Sequence, residues 1–232
     1  MPGLSEFPIT RRWPVDDPTK LQLFSFPTPN GIKVSTMLEE TGLPYEAHRV
    51  TLSDADVKSE EFLSLNPNNK IPAIIDPDGP GGEPIGLFES GAILLYLADK
   101  TGQFGGSGAD AWKARQWLMW QMGGLGPFMG QMGFWVTLGG KDWDEPKARD
   151  RYVGEAARLL KVVNGALEGV EWIAGDYSIA DMAIAPWLNA IHFYGAEEHV
   201  GWSGLTNLDP YVERWKARPA VARAMDIPPR EG

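Results

Sequence analysis

Strand signal stops partway along this chain and does not return. Short β-type runs alternate with helical ones up to residue 102, and a Gly-rich break over 103–110 (QFGGSGAD) closes that half. Beyond it AWKARQWLMWQM, PKARDRYVGEAARLLKVVNGALEG, SIADMAIAPWLNAIHFYG and DPYVERWKARPAVARAM all carry helical spacing. Nine of the ten tryptophans lie after residue 110, as a helical half built on large aromatic residues requires. The expected fold class is therefore α/β plus all-α, a small sheet domain over 21–102 and a helical-bundle domain over 111–232, joined by the 103–110 linker.

Within the first half, LQLFS (21–25), YEAHRV (45–50), AIID (73–76) and EPIGLF (83–88) read as strands. Helices are expected in GIKVSTMLEETG, with Val34, Met37, Leu38 and Thr41 on one face and Gly42 as its stop, in SEEFLSLN (59–66), and over 90–102. The first strand–helix–strand crossover should be right-handed, giving a parallel pair. Residues 1–20 contain four prolines and little periodicity, and are expected as an extended arm on the surface or on a partner.

Composition removes several function classes. The formal charge of −10, without clustered Lys or Arg, argues against nucleic acid as a partner. No apolar run approaches a membrane span, and the N-terminus lacks a signal-peptide core, so the expected compartment is cytoplasmic. There is no cysteine, hence no disulfide, thiolate metal site or protein thiol nucleophile. His48, His192 and His199 share no metal-ligand spacing and are expected as surface or packing residues, with no metal bound.

Four segments could carry chemistry. Phe26-Pro27-Thr28-Pro29-Asn30-Gly31 opens the first helix, where free N–H groups and the helix dipole welcome an anion; Thr28 brings a hydroxyl and Asn30 an amide donor. The same residues suit an ordinary Pro turn and cap. Asn68-Asn69-Lys70-Ile71-Pro72 precedes the third strand; a cis Ile71–Pro72 bond would turn the Ile71 backbone outward, whereas a trans proline at a strand start would do nothing. In Phe88-Glu89-Ser90-Gly91, Ser90 could hold a carboxylate and Glu89 an ammonium, or the two could simply cap a helix. Ser178-Ile179-Ala180-Asp181 has capping-box spacing, with Tyr177 and Met182 placed as a hydrophobic staple, and reads as structural.

In their order and separations these segments resemble the cytosolic glutathione transferases over residues 20–225. Thr28-Pro29-Asn30-Gly31, Pro67 to Ala73, Phe88 to Leu97 and Gly123-Gly124-Leu125-Gly126-Pro127 are similar to the Nu class, a bacterial group that includes disulfide-bond reductases. The resemblance implies a thioredoxin-like first domain, glutathione as co-substrate and a homodimer. It implies that Glu89 and Ser90 hold the γ-glutamyl group and that Ile71, beside Lys70 and ahead of a cis Pro72, pairs with the cysteinyl backbone. Asn30, with Thr28, would face the sulfur. Arg151 would clamp a carboxylate, or else pair with Glu155 on the helix surface. Val57 stands where relatives of this kind carry Gln, and Gln131-Met132-Gly133-Phe134-Trp135 lacks a polar, His-rich character, which implies a more apolar second-substrate pocket. Three functions follow from the resemblance: glutathione-dependent reduction of small disulfides, transfer or lyase chemistry on apolar electrophiles or thioethers, and non-catalytic regulation.

Overall fold

The computed structural model describes residues 3–230. The chain divides into two compact units: residues up to Thr101 together with those from Pro219 onward, and Gly102–Arg218.

The first unit is built on four strands, β1 (Leu21–Ser25), β2 (Tyr45–Arg49), β3 (Ala73–Asp76) and β4 (Ile85–Phe88), in the order β2-β1-β3-β4. β1 runs parallel to β2 and antiparallel to β3, and β4 is antiparallel to β3. Helices α1 (Pro29–Thr41), α2 (Asp54–Val57), α3 (Glu60–Leu65) and α4 (Ser90–Thr101) complete this thioredoxin-like arrangement. The short α2 interrupts what the sequence left as a connection. β1 is buried along its whole length, including the polar Gln22 and Ser25. Gln22 satisfies its amide by donating to the carbonyls of Asp17 and Lys20 and by pairing with His48 Nε2 at 2.7 Å. His48 in turn stacks on Phe24, with ring centroids 4.7 Å apart. It is a packing residue; burial lowers its ring pKa, against the opposing pull of Glu46 and Asp16.

Residues 3–20 are not the extended surface arm that their prolines suggested. Leu4–Glu6 and Pro8–Arg11 form 3-10 turns, which accept proline in the first position. They drive Leu4 and Ile9 into a cluster with Phe24, Val57, Phe62 and Ile75, and Ile9 is fully buried. Trp13 Nε1 donates to the Arg49 carbonyl at 2.9 Å, and Arg12 pairs with Asp56 at 2.7 Å. Val57 faces this cluster, so an apolar side chain there meets apolar neighbours.

The second unit is helical: α5 (Gly108–Trp120), a π-type turn (Gln121–Leu125), α6 (Gly126–Val136), α7 (Pro146–Ala166), α8 (Ile179–Tyr194), α9 (Glu197–Val200) and α10 (Leu208–Lys216). Gly133 has a packing reason, since a Cβ there would lie 2.4 Å from the Tyr194 ring. The capping box at α8 is complete. Asp181 is fully buried and accepts from Ser178 N–H and Ile173 N–H at 3.0 Å, and from the Tyr211 hydroxyl at 2.9 Å. It ties the start of α8 to the preceding loop and to α10.

The helical domain was expected to run to residue 232, but the last segment goes back to the first unit. In α11 (Pro219–Ala224) the Ala224 carbonyl accepts from Ser35 Oγ at 3.0 Å, and Arg223 pairs with Glu39. Arg230 then donates to the Pro27 carbonyl at 2.7 Å, bracing the turn ahead of α1. A helical pattern specifies an apolar face but not which unit covers it, so this return had no sequence signal. No helix among the described residues is long and apolar enough to cross a membrane.

Asp181→Ala is expected to cost more than the ~0.5–2 kcal/mol of a lost cap. It strands two buried N–H donors and one hydroxyl, each worth ~1–3 kcal/mol when left unmade, so a loss of at least about 3 kcal/mol is expected in denaturant unfolding. A loss below about 1 kcal/mol would show that Asp181 anchors nothing beyond its own turn.

Candidate functional site

The sheet register gathers the sequence-selected residues of the first half. Phe24, Ala73 and Phe88 form one row across β1, β3 and β4. Because β3 runs against its two neighbours, the exits of β1 and β4 and the entry to β3 share one edge of the sheet. Thr28 and Asn30 follow the first exit, Glu89 and Ser90 the second, and Ile71–Pro72 leads the entry.

α1 starts almost directly from β1, and Gly31 makes that possible. A Cβ on Gly31 would sit 2.0 Å from the Phe26 carbonyl oxygen, which no side chain tolerates. Thr28 is the N-cap: its Oγ1 accepts from Gly31 N–H at 3.3 Å, and Pro29 occupies the first turn. Thr28 and Asn30 are both half-buried, so each keeps a solvent-reachable face at the positive end of α1.

Ile71–Pro72 is cis, as the family resemblance implied. Neither the N–H nor the C=O of Ile71 has a hydrogen-bond partner among the described residues, although Ile71 itself is buried. A buried backbone with open polar groups is a place for an extended peptide to pair. The loop before it is held by Asn66, 2% exposed, whose Oδ1 accepts from Asn68 N–H at 2.9 Å and whose Nδ2 donates to the Lys70 carbonyl. Lys70 is exposed.

At the third position Glu89 has a φ of +71°, a left-handed conformation that a non-glycine residue adopts at a cost. Its carbonyl accepts from Ile93 N–H at 2.9 Å and so begins α4, while its side chain is exposed. Ser90 is buried at the helix start, with its Oγ 3.3 Å from the Nζ of Lys33. Asn66 and Lys33 were both missed in the sequence. Asn66 closed the expected 59–66 helix and is instead the residue that follows it, with Leu65 the last helical one. Lys33 carried a signal, since it stands four residues before Met37 and therefore on the apolar face of α1.

Arg151 belongs to the second unit, exposed on α7. The alternative pairing with Glu155 is largely displaced: Arg158 grips that carboxylate with two bonds, at 2.8 and 2.7 Å. Arg158 is also the main cause of the lowered Glu155 pKa, with Arg151 adding only its field. No cluster of metal-ligating side chains occurs among the described residues.

Residues 19–99 match the family model of the glutathione S-transferase N-terminal domain. Disulfide-bond oxidoreductase YfcG of Escherichia coli (strain K12) is 42% identical over 208 residues, covering 88% of this chain and 94% of that protein. A glutathione transferase from Pseudomonas putida, solved with one glutathione disulfide bound per subunit, is 51% identical with a TM-score of 0.96, over 98% of this chain and 100% of that one. One from Burkholderia graminis, solved with two glutathione molecules per subunit, is 56% identical with a TM-score of 0.95, over 99% and 96%.

Proposed function

The chain belongs to the glutathione S-transferase family, and from that premise we propose that it is a glutathione-dependent disulfide-bond reductase whose site is the sheet edge carrying Thr28, Asn30, Ile71, Glu89 and Ser90. The observation that carries this reading is a half-buried Thr28–Asn30 pair at a helix N-terminus, in a chain without cysteine, on the same edge as an open peptide-pairing backbone.

The reaction needs no protein thiol. A bound glutathione thiolate attacks one sulfur of a small disulfide; the new S–S bond forms as the old one breaks, and the departing thiolate takes a proton. A second glutathione thiolate attacks the glutathionyl sulfur of that mixed disulfide, releasing glutathione disulfide and the second thiol. Two glutathiones thus supply the two electrons. The relatives solved with one glutathione disulfide or with two glutathiones per subunit hold the oxidised and reduced forms of the same pair, which supports room for two here.

The protein's task is to make the thiolate. Free thiols have a pKa of ~8.5, so only a few per cent is ionised at pH 7, and lowering it by ~2 units needs ~2.7 kcal/mol. A hydrogen bond to a charged acceptor contributes ~1.5–3 kcal/mol, and the α1 terminus ~0.3–2 kcal/mol more. Thr28 accepts from Gly31, which leaves its hydroxyl hydrogen for a donor role, and the Asn30 amide carries N–H donors of its own. Pushing the pKa much lower would weaken the nucleophile, so modest donors suit exchange chemistry. On this reading Ile71 pairs with the cysteinyl backbone beside Lys70 and Pro72, and Ser90 and Glu89 take the γ-glutamyl end.

A second reading, transfer or lyase chemistry on apolar electrophiles, is favoured by the mutual edge-to-face cluster of Phe134, Trp135 and Trp143, with centroids 5.5 Å apart. The compartment we assign is the cytoplasm, where a reducing glutathione pool sustains this chemistry. We also assign a homodimer, through the outward face of α5, where Trp112 and Met119 lie seven residues apart and are 72% and 51% exposed. Sedimentation at micromolar concentration should give twice the 25.5 kDa chain mass; a monomer refutes this assignment.

Asn30→Ala is expected to slow reduction of a small disulfide by about 10²–10³-fold, the usual cost of one donor that acts mainly in the transition state. Thr28→Ala should slow it less but lower stability by ~1 kcal/mol through the lost cap. Wild-type turnover should be faster with a disulfide than with an aromatic halide; the reverse order would favour the transferase reading. Unchanged rates in both variants would mean that the sulfur lies elsewhere.

A further inference from the structure

Two arginines share one aromatic ring at the turn ahead of α1. The guanidinium carbons of Arg49 and Arg230 each lie 5.9 Å from the ring centroid of Phe26, within reach of a cation–π contact. Arg49 ends β2, paired in register with Ser25 at the end of β1, and Arg230 comes from the C-terminal return to the same unit. Because β1 and β2 are parallel, both leave the sheet at the edge that carries Thr28 and Asn30. Arg230 also donates to the Pro27 carbonyl at 2.7 Å, which places it on the peptide group joining Pro27 to the N-cap Thr28.

Arg12, Arg158 and Arg223 each pair with a carboxylate, on Asp56, Glu155 and Glu39. Arg49 and Arg230 pair with none among the described residues. The acidic groups nearby are engaged elsewhere. Glu46 accepts from the N–H groups of Asp16 and Asp17, and strand alternation puts it with His48 on the face of β2 opposite Arg49. Asp226 accepts from the backbone N–H of Arg230 at 3.3 Å. Both arginines are exposed and Phe26 is half-buried. Contact with an aromatic ring restrains a guanidinium without using its N–H donors, and its planar fork matches a carboxylate with two parallel bonds.

Resting on the disulfide-reductase reading above, we propose that Arg49 and Arg230, gathered on Phe26, select the second substrate as a small disulfide that bears a carboxylate. Attack of a thiolate on an acidic disulfide brings like charges together, and two guanidiniums beside the α1 terminus offset that repulsion. The bound glutathione thiolate forms the new S–S bond as the S–S bond of the acid breaks, and the departing mercaptocarboxylate takes a proton. A second glutathione thiolate then releases the other half of the acid as glutathione disulfide forms. The selection runs against the formal charge of −10, which by itself repels a dianion.

The test compares dithiodipropionate, a dianion, with its neutral diamide as substrates, each with reduced glutathione, in wild-type protein, in Arg49→Gln and in the double variant Arg49→Gln/Arg230→Gln. One exposed ion pair is worth about threefold and two about tenfold. Wild type should therefore favour the diacid about tenfold in kcat/KM at low salt, and added salt should shrink that ratio. The ratio should fall about threefold in Arg49→Gln and reach parity or below in the double variant. The wild-type ratio and its salt dependence need no folded variant. A wild type that reduces the diamide as fast as the diacid, or a preference that survives in both variants, overturns the selection and leaves the reductase reading standing. Variants that raise KM for glutathione and slow both disulfides alike would assign the arginines to a carboxylate of glutathione, and overturn the selection as well. A wild type that reduces neither disulfide overturns the proposed function itself, and this inference with it.

Discussion

The contact between Gly31 and the Phe26 carbonyl sets the geometry of the whole first unit's working edge. Only a residue without a Cβ lets α1 begin after just three intervening residues beyond β1, and that short turn aims the helix terminus at the sheet edge. Thr28 then caps the helix, Asn30 falls in its first turn, and Lys33 is carried one turn deeper, under Ser90. The turn is braced from behind by residues from the far end of the chain, with Arg230 on the Pro27 carbonyl and Ala224 on Ser35. Local chemistry at Thr28, Pro29, Asn30 and Gly31 thus sets where the α1 terminus meets the edge proposed to hold glutathione.

The electrostatics run against the global charge. On the proposed reading, a chain with a formal charge of −10 would hold an anionic ligand at two helix termini, short-range devices that work where solvent does not screen them. None needs a large basic surface, which explains why composition pointed away from polyanions without excluding a small anion. The backbone cost at Glu89, with φ of +71°, belongs to the same design: it turns the chain sharply between β4 and α4 so that Ser90 opens the helix on the site edge.

What the sequence made legible is what short-range physics decides. The strand runs LQLFS and AIID, a capped turn ahead of α1 and the Ser178–Asp181 box each depend on a few adjacent residues, and each is present; the cis Ile71–Pro72 bond came with the family resemblance. Burial by distant partners was not legible. Leu4 and Ile9 sit among prolines without a period, yet both enter the core. The helix Pro219–Ala224 reads like its predecessors but packs with the other unit. Lys33 was passed over because lysine is read as solvated, although its place on the apolar face of α1 contradicted that. Asp181 was recognised as a cap, while its bonds to Ile173 and Tyr211, eight and thirty residues away, make it more than that.

The central claim is that a site without a protein thiol ionises a borrowed one. The direct measurement is the ultraviolet thiolate absorbance of glutathione bound to the wild-type protein, followed against pH. The expected midpoint lies ~2 units below the ~8.5 of a free thiol. A bound thiol that titrates with the free value, at full occupancy, would contradict the account.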